Sequence, residues 1–368
     1  MQETMECIWD PTQQEDLNLT AASSLPWELL DGRTVLITGA TGLVGSQLVK
    51  TLFAVNRIRN MRIKILALVR SREKAERVFG HLLHRPELSL LFGDVTNPLE
   101  IEGPVEYIFH AASQTASREF VLHPVETIYT SFDGTRNILE LARKKQCSSV
   151  VYVSSMEAYG NPYQQGHRTS EKELGYIDNL NIRSCYSEGK RFCECLCACY
   201  SNEYGVPVKI ARLAQTFGAG VSSSETRVFA QFAKSAMNGS DIVLHTKGES
   251  YGNYCYTADA IAGLLTVLLL GKDAEAYNVV CEDATMRIVE MAQLVADRIA
   301  GGHINVVFDI PESSLVYGYA PDVTLRLDGQ KLRDLGWRAR IAPDMETMYR
   351  RMISSFEAQN KTMLAAHL

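Results

Sequence analysis

Two side chains in the middle of the chain, Tyr186 and Lys190, have the types and the spacing that suit proton transfer. They are four residues apart, so on a helix they lie on one face, about one turn from each other. An ammonium group favours the ionised form of a nearby phenol and so lowers its pKa. A phenol with a lowered pKa can take a proton from a substrate hydroxyl while a hydride leaves the same carbon. The pair alone is common on helix surfaces, so its chemistry depends on the elements around it.

A glycine-rich turn upstream has the form of a phosphate-binding site. The apolar, β-branched run Thr34–Thr38 predicts a buried parallel strand, and an amphipathic helix to about Phe53 follows the turn. Glycines in such a turn allow a tight bend and close packing, and the helix N-terminus presents unpaired N–H groups to a pyrophosphate. We therefore expect a dinucleotide cofactor to bind at Gly39, Thr41, Gly42, Leu43, Val44 and Gly45.

The end of the second predicted strand, Ile63–Val69, bears on the choice between NAD and NADP as cofactor. An NAD site usually has an acidic residue here that accepts the ribose hydroxyls, whereas this chain has Arg70-Ser71-Arg72. Arg70 and Arg72 either face the 2′-phosphate of NADP or are solvated, and the sequence favours neither interpretation. Asp94, at the end of the next strand, either contacts the adenine amine or is a plain turn residue.

Two later strand ends carry small and hydroxyl side chains. The predicted strand Val105–Phe109 leads into His110-Ala111-Ala112-Ser113, and Ser149–Val153 leads into Ser154-Ser155-Met156-Glu157. Open α/β sheets bind ligands at the carboxyl ends of their strands. We expect Ala111, Ala112 and Ser113 beside the cofactor and Ser155 beside the substrate.

The alternation of strands and helices predicts an α/β fold with a doubly wound parallel sheet and a smaller C-terminal substrate lobe. We divide the chain into an N-terminal extension (1–30), a dinucleotide-binding domain (31–217) and a mainly substrate-binding lobe (218–368). The alternation loosens after residue 218, and the two larger parts are expected to interleave. The segment Pro26–Leu30 is expected to pack against the domain that follows.

Composition excludes some classes of function. The chain is 46% hydrophobic and 22% charged with a net charge of -6, and it has no basic block, so we expect no nucleic-acid partner. The first 24 residues lack the apolar core of a signal peptide. The longest apolar run, Ala260–Leu270, is too short to span a bilayer, so no membrane partner is expected.

Four of the nine cysteines are close together, at Cys193, Cys195, Cys197 and Cys199. On the helix that carries Tyr186, this i, i+2 spacing distributes the thiols around the axis instead of gathering them around a metal. We interpret them as small buried thiols and expect no metal site. Free thiols without an export signal favour a reducing cytoplasm.

Taken together, these motifs resemble the extended short-chain dehydrogenase/reductase family, in particular its nucleotide-sugar branch. The matching pieces, spread over about Thr34 to Trp337, are Thr38–Gly45, Gly93-Asp94-Val95, His110-Ala111-Ala112, Ser154-Ser155, Tyr186 with Lys190, and Leu335-Gly336-Trp337. The resemblance implies a Rossmann-type domain, a tightly bound and recycled NAD or NADP, and a nucleoside-diphosphate sugar in the cleft between the lobes. It also implies a homodimer, because relatives often dimerise by pairing two helices of each subunit.

The resemblance also implies roles for individual residues. Against the cofactor it places Asp94, Val95, Ala111, Ala112, Ser113, Tyr186 and Lys190. Against the substrate it places Ser113, Ser155, Met156, Glu157, Gln215, Arg227 and Arg326. The run Arg183-Ser184-Cys185-Tyr186-Ser187-Glu188-Gly189-Lys190-Arg191 is most similar to the UDP-glucuronate decarboxylases of this branch.

Three positions depart from the pattern of the family. Met156 replaces a hydroxyl residue, and also the aspartate that 4,6-dehydratases have there. Gln215 replaces the asparagine that usually faces the substrate. Gly252 replaces an arginine that usually binds the diphosphate.

The reaction implied is transient oxidation of a sugar at C4, with Tyr186 as base, Lys190 lowering its pKa and Ser155 bonded to the same oxygen. Decarboxylation of a UDP-glucuronate-type substrate is favoured, with Glu157 positioning the ring or handling protons. A 4-epimerase is the next hypothesis. A 4,6-dehydratase follows, because the thioether of Met156 has no proton to give a leaving hydroxyl. From another class, a cofactor-sensing protein without catalysis is supported by Gly252 and opposed by the intact Ser155, Tyr186 and Lys190.

Overall fold

The computed structural model describes residues 5–115, 117–163, 166–310 and 324–366. The strands are β1 (Thr34–Thr38), β2 (Lys64–Val69), β3 (Leu88–Phe92), β4 (Tyr107–His110), β5 (Ser149–Ser155), β6 (Val208–Leu213), β7 (Gln215–Phe217), β8 (Ile242–Leu244), β9 (Tyr251–Tyr256), β10 (Ala276–Val279), β11 (Cys281–Arg287) and β12 (Val306–Phe308). The α-helices are α1 (Pro11–Ala21), α2 (Leu43–Arg59), α3 (Arg72–Phe79), α4 (Ser117–Leu122), α5 (Pro124–Lys145), α6 (Ser184–Tyr204), α7 (Val228–Asn238), α8 (Thr257–Leu270), α9 (Ile288–Leu294), α10 (Gln330–Asp334) and α11 (Met345–Ala366).

Seven parallel strands form the central sheet, in the order β10-β6-β5-β4-β1-β2-β3. Successive side chains of a strand point to opposite faces, so a strand covered on both faces is apolar throughout. In β1, Val35 and Ile37 pack with α2 and α8 on one face, whereas Leu36 packs with α5 and α6 on the other. The predicted doubly wound α/β fold is confirmed.

The strand order reverses between β1 and β4, which are neighbours in the sheet although two strands separate them in the sequence. At such a switch point the loops after the two strands separate and leave a crevice at the carboxyl end of the sheet. Thr38 pairs with His110 at this end. The glycine-rich turn after β1 and the Ala111–Ser113 segment after β4 therefore lie on the two sides of the crevice.

The C-terminal half builds most of a second lobe. It contains the three-stranded sheet β11-β9-β7, the pair β12-β8, and a separate hydrophobic core that includes Phe217, Phe229, Tyr254 and Met348. The chain also returns to the large sheet, because β10 pairs with β6. The two parts thus interleave, and the division at residue 217 stays a prediction.

The N-terminal extension is folded onto both lobes. Asp10 caps α1 by accepting a hydrogen bond from the Gln13 amide at 3.0 Å. The helix then packs against α2, α8 and α11. Trp27 and Leu30 are buried in the core of the large sheet, as the sequence predicted for this segment.

The cysteines correct one sequence-based expectation. Cys193 and Cys197 are buried, whereas Cys195 and Cys199 are exposed, so the interpretation of all four as buried thiols was wrong. The reason is the helical spacing itself, because residues two apart on a helix point in widely different directions. Among the described residues, no group of three or more His, Cys, Asp or Glu side chains is arranged to hold a metal ion. No helix in the described parts of the chain is long and apolar enough to cross a membrane.

Candidate active site

Tyr186 and Lys190 lie on the buried face of α6, where it packs beside β5. The Lys190 ammonium donates a hydrogen bond to the Val153 carbonyl at 2.8 Å. Its Nζ lies 5.6 Å from the centre of the Tyr186 ring and 4.9 Å from that of Tyr152. One end of the lysine is thus anchored to the strand that carries Ser155, and its charge is held next to the phenol.

Ser155 is the last residue of β5, and its hydroxyl is close enough to the Tyr186 phenol to act on it, in the direction that lowers the phenol pKa. The same serine oxygen accepts a hydrogen bond from the Glu157 amide at 3.2 Å. Two hydroxyl side chains from different elements are therefore close to each other at the carboxyl end of β5. A substrate oxygen at that point can bond to both of them.

The pKa of Tyr186 corrects another expectation. Burial raises it above its usual value, and the neighbouring Glu157 carboxylate raises it further. The Ser155 hydrogen bond and the Arg227 guanidinium act in the opposite direction but do not outweigh burial. The prediction of a lowered phenol pKa was therefore wrong for this environment. Burial also lowers the pKa of Lys190, to about 8.

Glu157 faces the crevice, where protein surrounds its carboxyl group although water can still reach it. Burial raises its pKa, and the Arg183 guanidinium offsets part of that shift. The Ser187 hydroxyl points at the carboxylate from 3.4 Å. A carboxyl group with a raised pKa beside a phenol can hold a proton or give it up, which is what proton transfer at a neighbouring carbon requires.

The sequence did not indicate the role of Phe120. Its ring stacks on the Tyr186 ring with centroids 4.5 Å apart and planes 11° apart. Both rings and Cys185 form a small buried cluster of their own. Phe120 belongs to α4 and is far from Tyr186 in the sequence, so no local pattern could have pointed to it.

The glycine-rich turn fits a dinucleotide sterically. A Cβ on Gly39 would lie 2.8 Å from the Ala111 oxygen and the Ala112 nitrogen, so the loops after β1 and β4 touch only because residue 39 is glycine. A Cβ on Gly45 would lie 2.3 Å from the Gly39 oxygen. Gly42 precedes the first turn of α2, and no side chain caps that turn. Its N–H groups thus remain available for a phosphate.

The other predicted cofactor contacts in this turn differ in their surroundings. Leu43 packs against the core of the second lobe, whereas Val44 packs against the core of the large sheet. Thr41 precedes both of them on the turn and is half-buried. The first residues of α2 therefore touch both lobes at the crevice.

Arg70 and Asp94 form an ion pair across the ends of β2 and β3, with 3.5 Å between guanidinium and carboxylate. The carboxylate also accepts hydrogen bonds from the amide and hydroxyl of Thr96, at 2.9 and 2.8 Å. Val95, the next residue, is buried under α5. The two predicted adenosine contacts thus share one location, and whether they bind the cofactor stays a prediction.

Thr38 and His110 connect the two loops of the crevice. The buried His110 is hydrogen-bonded to the Thr38 hydroxyl at 2.8 Å and faces the Thr135 hydroxyl at 3.3 Å. The Thr38 oxygen also accepts a hydrogen bond from the Ala112 amide at 3.1 Å. Burial lowers the pKa of His110 to about 3, so this imidazole is neutral and structural. Ser113 follows, with its hydroxyl bonded to the Gln114 carbonyl at 3.2 Å.

The remaining predicted substrate residues are more dispersed. Arg227 has a pKa-lowering influence on Tyr186, while its guanidinium donates to Glu225 at 2.7 Å and lies 4.9 Å from the centre of the Phe229 ring, so its substrate role stays a prediction. Met156 packs against the core of the large sheet. Gln215 pairs with Tyr254 in the smaller sheet, and the Arg326 guanidinium lies 5.5 Å from the centre of the Tyr251 ring. A substrate role for these last three stays a prediction.

With this geometry established, comparison with known proteins assigns the family. The sequence model of the NAD dependent epimerase/dehydratase family matches residues 35–280. The chain belongs to this family. It is 31% identical to UDP-glucuronic acid decarboxylase 3 of Arabidopsis thaliana over 319 residues, which is 83% of this chain and 90% of that protein. It is 29% identical to UDP-glucuronic acid decarboxylase 1 of Xenopus tropicalis over 307 residues, 80% of this chain and 70% of that protein.

Solved structures of the epimerase/dehydratase family share the fold. A UDP-glucose 4-epimerase from Thermotoga maritima, solved with UDP-glucose, superimposes with a TM-score of 0.71 at 20% identity, covering 90% of this chain and 99% of that one. A dTDP-glucose 4,6-dehydratase from Bacillus anthracis, solved with NAD, gives a TM-score of 0.70 at 18% identity, covering 90% and 98%. At these identities the likeness establishes the fold alone.

Gly252, where the family pattern has an arginine, has a structural consequence. A Cβ at this position would lie 2.4 Å from the Tyr254 hydroxyl oxygen and from a ring carbon of the same residue. The phenol of Tyr254, two residues along the same strand, therefore occupies the space beside Gly252. Any side chain at position 252 requires Tyr254 to move.

Proposed function

We propose that the protein is an NAD-dependent nucleotide-sugar decarboxylase that acts on a UDP-hexuronate of the glucuronate type. The observation that carries the proposal is the convergence of Ser155, Glu157 and Tyr186 at the carboxyl end of β5. The similarity to two UDP-glucuronic acid decarboxylases over most of the chain supports the same substrate class.

The proposed chemistry begins at the sugar C4 hydroxyl. When bound at the glycine-rich turn, NAD supplies the hydride acceptor and returns the hydride at the end, so it is recycled. In its phenolate form, Tyr186 takes the proton of the C4 hydroxyl on Oη, and Ser155 Oγ holds the same sugar oxygen in place by a hydrogen bond. The Lys190 ammonium, fixed by Val153, favours the phenolate form from which this step starts.

Loss of carbon dioxide follows from the ketone. A C4 ketone makes the C5 carboxylate a β-keto acid, whose carbon–carbon bond breaks with its electron pair moving into the ketone. The proton that replaces carbon dioxide at C5 has to come from the protein or water, and Glu157 with its raised pKa is a suitable donor. Tyr186 then returns its proton to the C4 oxygen as the ketone is reduced.

A 4-epimerase is the second candidate, because it uses the same first step. The fold that the chain shares with a UDP-glucose 4-epimerase is compatible with this second reaction. The carboxyl group of Glu157 at the reacting centre favours the decarboxylase, because epimerisation needs no proton transfer at C5. A 4,6-dehydratase would need an acid for the leaving hydroxyl, and Met156 is packed as an apolar residue.

The deciding experiment is the mass of the product. Purified protein with NAD is incubated separately with UDP-glucuronate and UDP-glucose. The proposal expects the hexuronate to lose the mass of one carbon dioxide and the hexose to keep its mass. A 4-keto-6-deoxy product would establish a dehydratase instead, and unchanged mass with inverted C4 would establish the epimerase. Tyr186→Phe is the matched inactive control.

We further propose that the protein is a homodimer formed through α5 and α6. A groove of about 780 Å³ lies between these helices and the segment before α6, and it is bordered by exposed apolar side chains. These side chains are Val125, Ile128, Leu180, Ile182 and Phe192. The measurement is the solution mass by light scattering. Phe192→Glu is expected to give monomers, whereas Val243→Glu, an exposed apolar position on β8, leaves the dimer intact.

A cytoplasmic location is part of the proposal. All nine cysteines are free thiols, which suits a reducing compartment. Fractionation of cells that express the protein, with a cytoplasmic marker as reference, tests the location.

A further inference from the structure

The loop between β7 and α7, residues 218–227, reaches the candidate active site at its far end. The loop follows β7, which begins two residues after Leu213, the neighbour of Ser155 in the large sheet. Arg227, the last residue of this β7–α7 loop, has a pKa-lowering influence on Tyr186. Glu225 fixes that end by accepting hydrogen bonds from the Arg227 amide at 3.0 Å and from its guanidinium at 2.7 Å. The position of the loop therefore determines where the Arg227 guanidinium lies relative to the substrate pocket.

Two buried carboxylates of the N-terminal extension hold the near end of this loop, each through one hydroxyl. The Tyr256 hydroxyl donates to Asp16 at 2.5 Å and accepts from the Ala219 amide at 3.3 Å. The Ser355 hydroxyl donates to Asp10 and accepts from the Gly220 amide at 3.3 Å. The amides of two consecutive loop residues are thus each bonded to a hydroxyl that is in turn bonded to a carboxylate of the extension. We call each such chain of amide, hydroxyl and carboxylate a relay; one ends at Asp16 of α1 and the other at Asp10, the cap of α1.

The packing around Gly220 shows how tightly the extension is fitted against the loop. Gly220 has a φ of +88°, and a Cβ there would lie 2.3 Å from the Gln13 amide nitrogen and 2.2 Å from that of Gln47. Gln13 belongs to α1, and Gln47 belongs to the first turns of α2. Extension, cofactor helix and loop therefore meet at one residue.

The extension is also bonded to the cofactor domain independently of the loop. The Arg57 guanidinium of α2 bonds Glu6 at 3.0 and 2.7 Å. The Lys50 ammonium bonds the Gln13 side chain at 3.3 Å. On the other lobe, Arg351 of α11 bonds Asp16 at 3.0 Å. The extension thus connects α2, which carries the cofactor turn, to α11 and the loop.

The burial of Asp16 argues against a merely passive role. Burial raises the pKa of Asp16 to about 7, so the fold holds this carboxylate at a cost in stability. An apolar residue would anchor a helix without that cost. Asp16 is instead placed where it orients the Tyr256 hydroxyl toward a loop amide.

We infer that the N-terminal extension is a positioning element for the substrate pocket, in which Asp16 through Tyr256 and Asp10 through Ser355 hold the β7–α7 loop so that Arg227 faces the substrate. The inference rests on the proposed function only for the identity of the substrate. Both the extension and α11 lie outside the part of the chain that matches the family model. The residues that act here are positioning residues, since none of them reaches the reacting atoms.

The test uses two conservative variants, Tyr256→Phe and Ser355→Ala, each of which removes one relay hydroxyl. Glu15→Gln is the matched control, because Glu15 is on the same helix and bonds the same Arg351, yet its side chain is 61% exposed. Amide hydrogen exchange of the loop, dissociation constants for NAD and UDP-glucuronate, and thermal unfolding are measured for each full-length variant.

In both variants, the amide hydrogens of residues 218–227 are expected to exchange faster than in the wild type. The dissociation constant for UDP-glucuronate should rise about 5-fold, which corresponds to the usual net free energy of one hydrogen bond. NAD affinity should not change, and Glu15→Gln should match the wild type in all readouts. Adding Asp16→Asn to Tyr256→Phe should weaken substrate binding no further, because both changes break the same relay.

A lowered unfolding temperature with unchanged loop exchange and unchanged UDP-glucuronate affinity would overturn the inference and leave the extension with a structural role alone. Additive effects of Asp16→Asn and Tyr256→Phe would contradict the relay through Tyr256. A wild-type protein that binds no UDP-glucuronate would contradict the proposed substrate. In that case the rate of amide hydrogen exchange in residues 218–227 of the two variants would still test the role of the extension.

Discussion

The ring of Phe120 lies flat against the ring of Tyr186, with 4.5 Å between their centroids. This contact covers one face of the phenol, while its hydroxyl stays under the influence of Ser155. The stack therefore limits the phenol to one orientation in the crevice. Exclusion of water from the same ring contributes to its raised pKa.

Phe120→Leu should lower kcat by about 2- to 10-fold, because an aromatic pair is worth about 0.5–1.5 kcal/mol beyond its buried area. The change keeps an apolar residue but removes the stacking that orients the phenol. Steady-state kinetics with saturating UDP-glucuronate is the measurement. Phe132→Leu is the control, since the Phe132–Phe192 pair lies 5.4 Å apart in the groove along α5 and α6. Equal kcat values for wild type and Phe120→Leu would mean that the stack is only structural.

Tyr186→Phe should reduce turnover by at least about 10²-fold, the lower range for the loss of a general base. It should keep the fold and NAD binding, because the ring and its packing against Phe120 remain. The control is Tyr200→Phe on the same helix, which loses only a hydrogen bond to Glu140 of 2.8 Å. Near-normal turnover of Tyr186→Phe would contradict the role of Tyr186 as base and would favour the hypothesis of a cofactor-sensing protein over that of an enzyme.

The parts of the site that the sequence predicted are those that local rules determine. The strand β1, the glycine turn and α2 follow one another directly, so their composition alone specifies a phosphate-binding unit. The spacing of Tyr186 and Lys190 likewise depends only on the geometry of one helix. The predicted helix to about Phe53 continues to Arg59 and ends at Asn60 in a left-handed conformation, which a sequence pattern locates poorly.

What the sequence could not predict depends on contacts between distant segments. Phe120 and Arg227 act on Tyr186 from other elements, and no short pattern connects them to it. The sign of the Tyr186 pKa shift was missed for the same reason, because burial is a property of the folded chain and the motif does not show it. The role of the N-terminal extension could not be inferred from the sequence, because its carboxylates have hydrogen-bond partners more than two hundred residues away.

Gly42→Leu should abolish NAD binding while the protein stays folded. A Cβ at residue 42 would meet only the Gly39 oxygen, at 3.3 Å, and the φ of -82° suits any residue. The larger side chain therefore fills the approach to the α2 N-terminus without straining the turn. Calorimetric titration with NAD and thermal unfolding measure the two effects.

Gly45→Ala is the contrasting variant for this turn. Its Cβ would lie 2.3 Å from the Gly39 oxygen, so it should lower the unfolding temperature where Gly42→Leu does not. NAD affinity that survives in Gly42→Leu would place the pyrophosphate elsewhere.

Arg70→Ala should weaken binding of NADP more than binding of NAD, if Arg70 faces the 2′-phosphate. The arginine is paired with Asp94, so part of its charge is already balanced. Asp94→Asn should consequently strengthen NADP binding relative to NAD. Arg72→Ala is the control, because the Arg72 guanidinium lies 4.6 Å from the centre of the Phe92 ring. Titrations in which Arg70→Ala changes neither affinity would identify Arg70 as a solvated residue.

Glu157→Gln should move the pH dependence of turnover to lower pH. A proton acceptor works in its deprotonated form, so turnover rises as pH increases through the pKa of Tyr186. The Glu157 carboxylate disfavours the phenolate and raises that pKa, so a neutral amide of the same shape must lower it. The measurement is kcat against pH from about 7 to 12, because the raised pKa of Tyr186 places the rising limb in the alkaline range. Each profile is normalised to its own maximum to separate this effect from any loss of proton donation at C5. Glu188→Gln, a glutamate on α6 that pairs with Arg191 at 3.7 Å, should leave the rising limb where it is in the wild type. A limb that stays in place or moves to higher pH in Glu157→Gln would show that the proton acceptor is not under the influence of Glu157, and Tyr186 would then lose its assignment as the base.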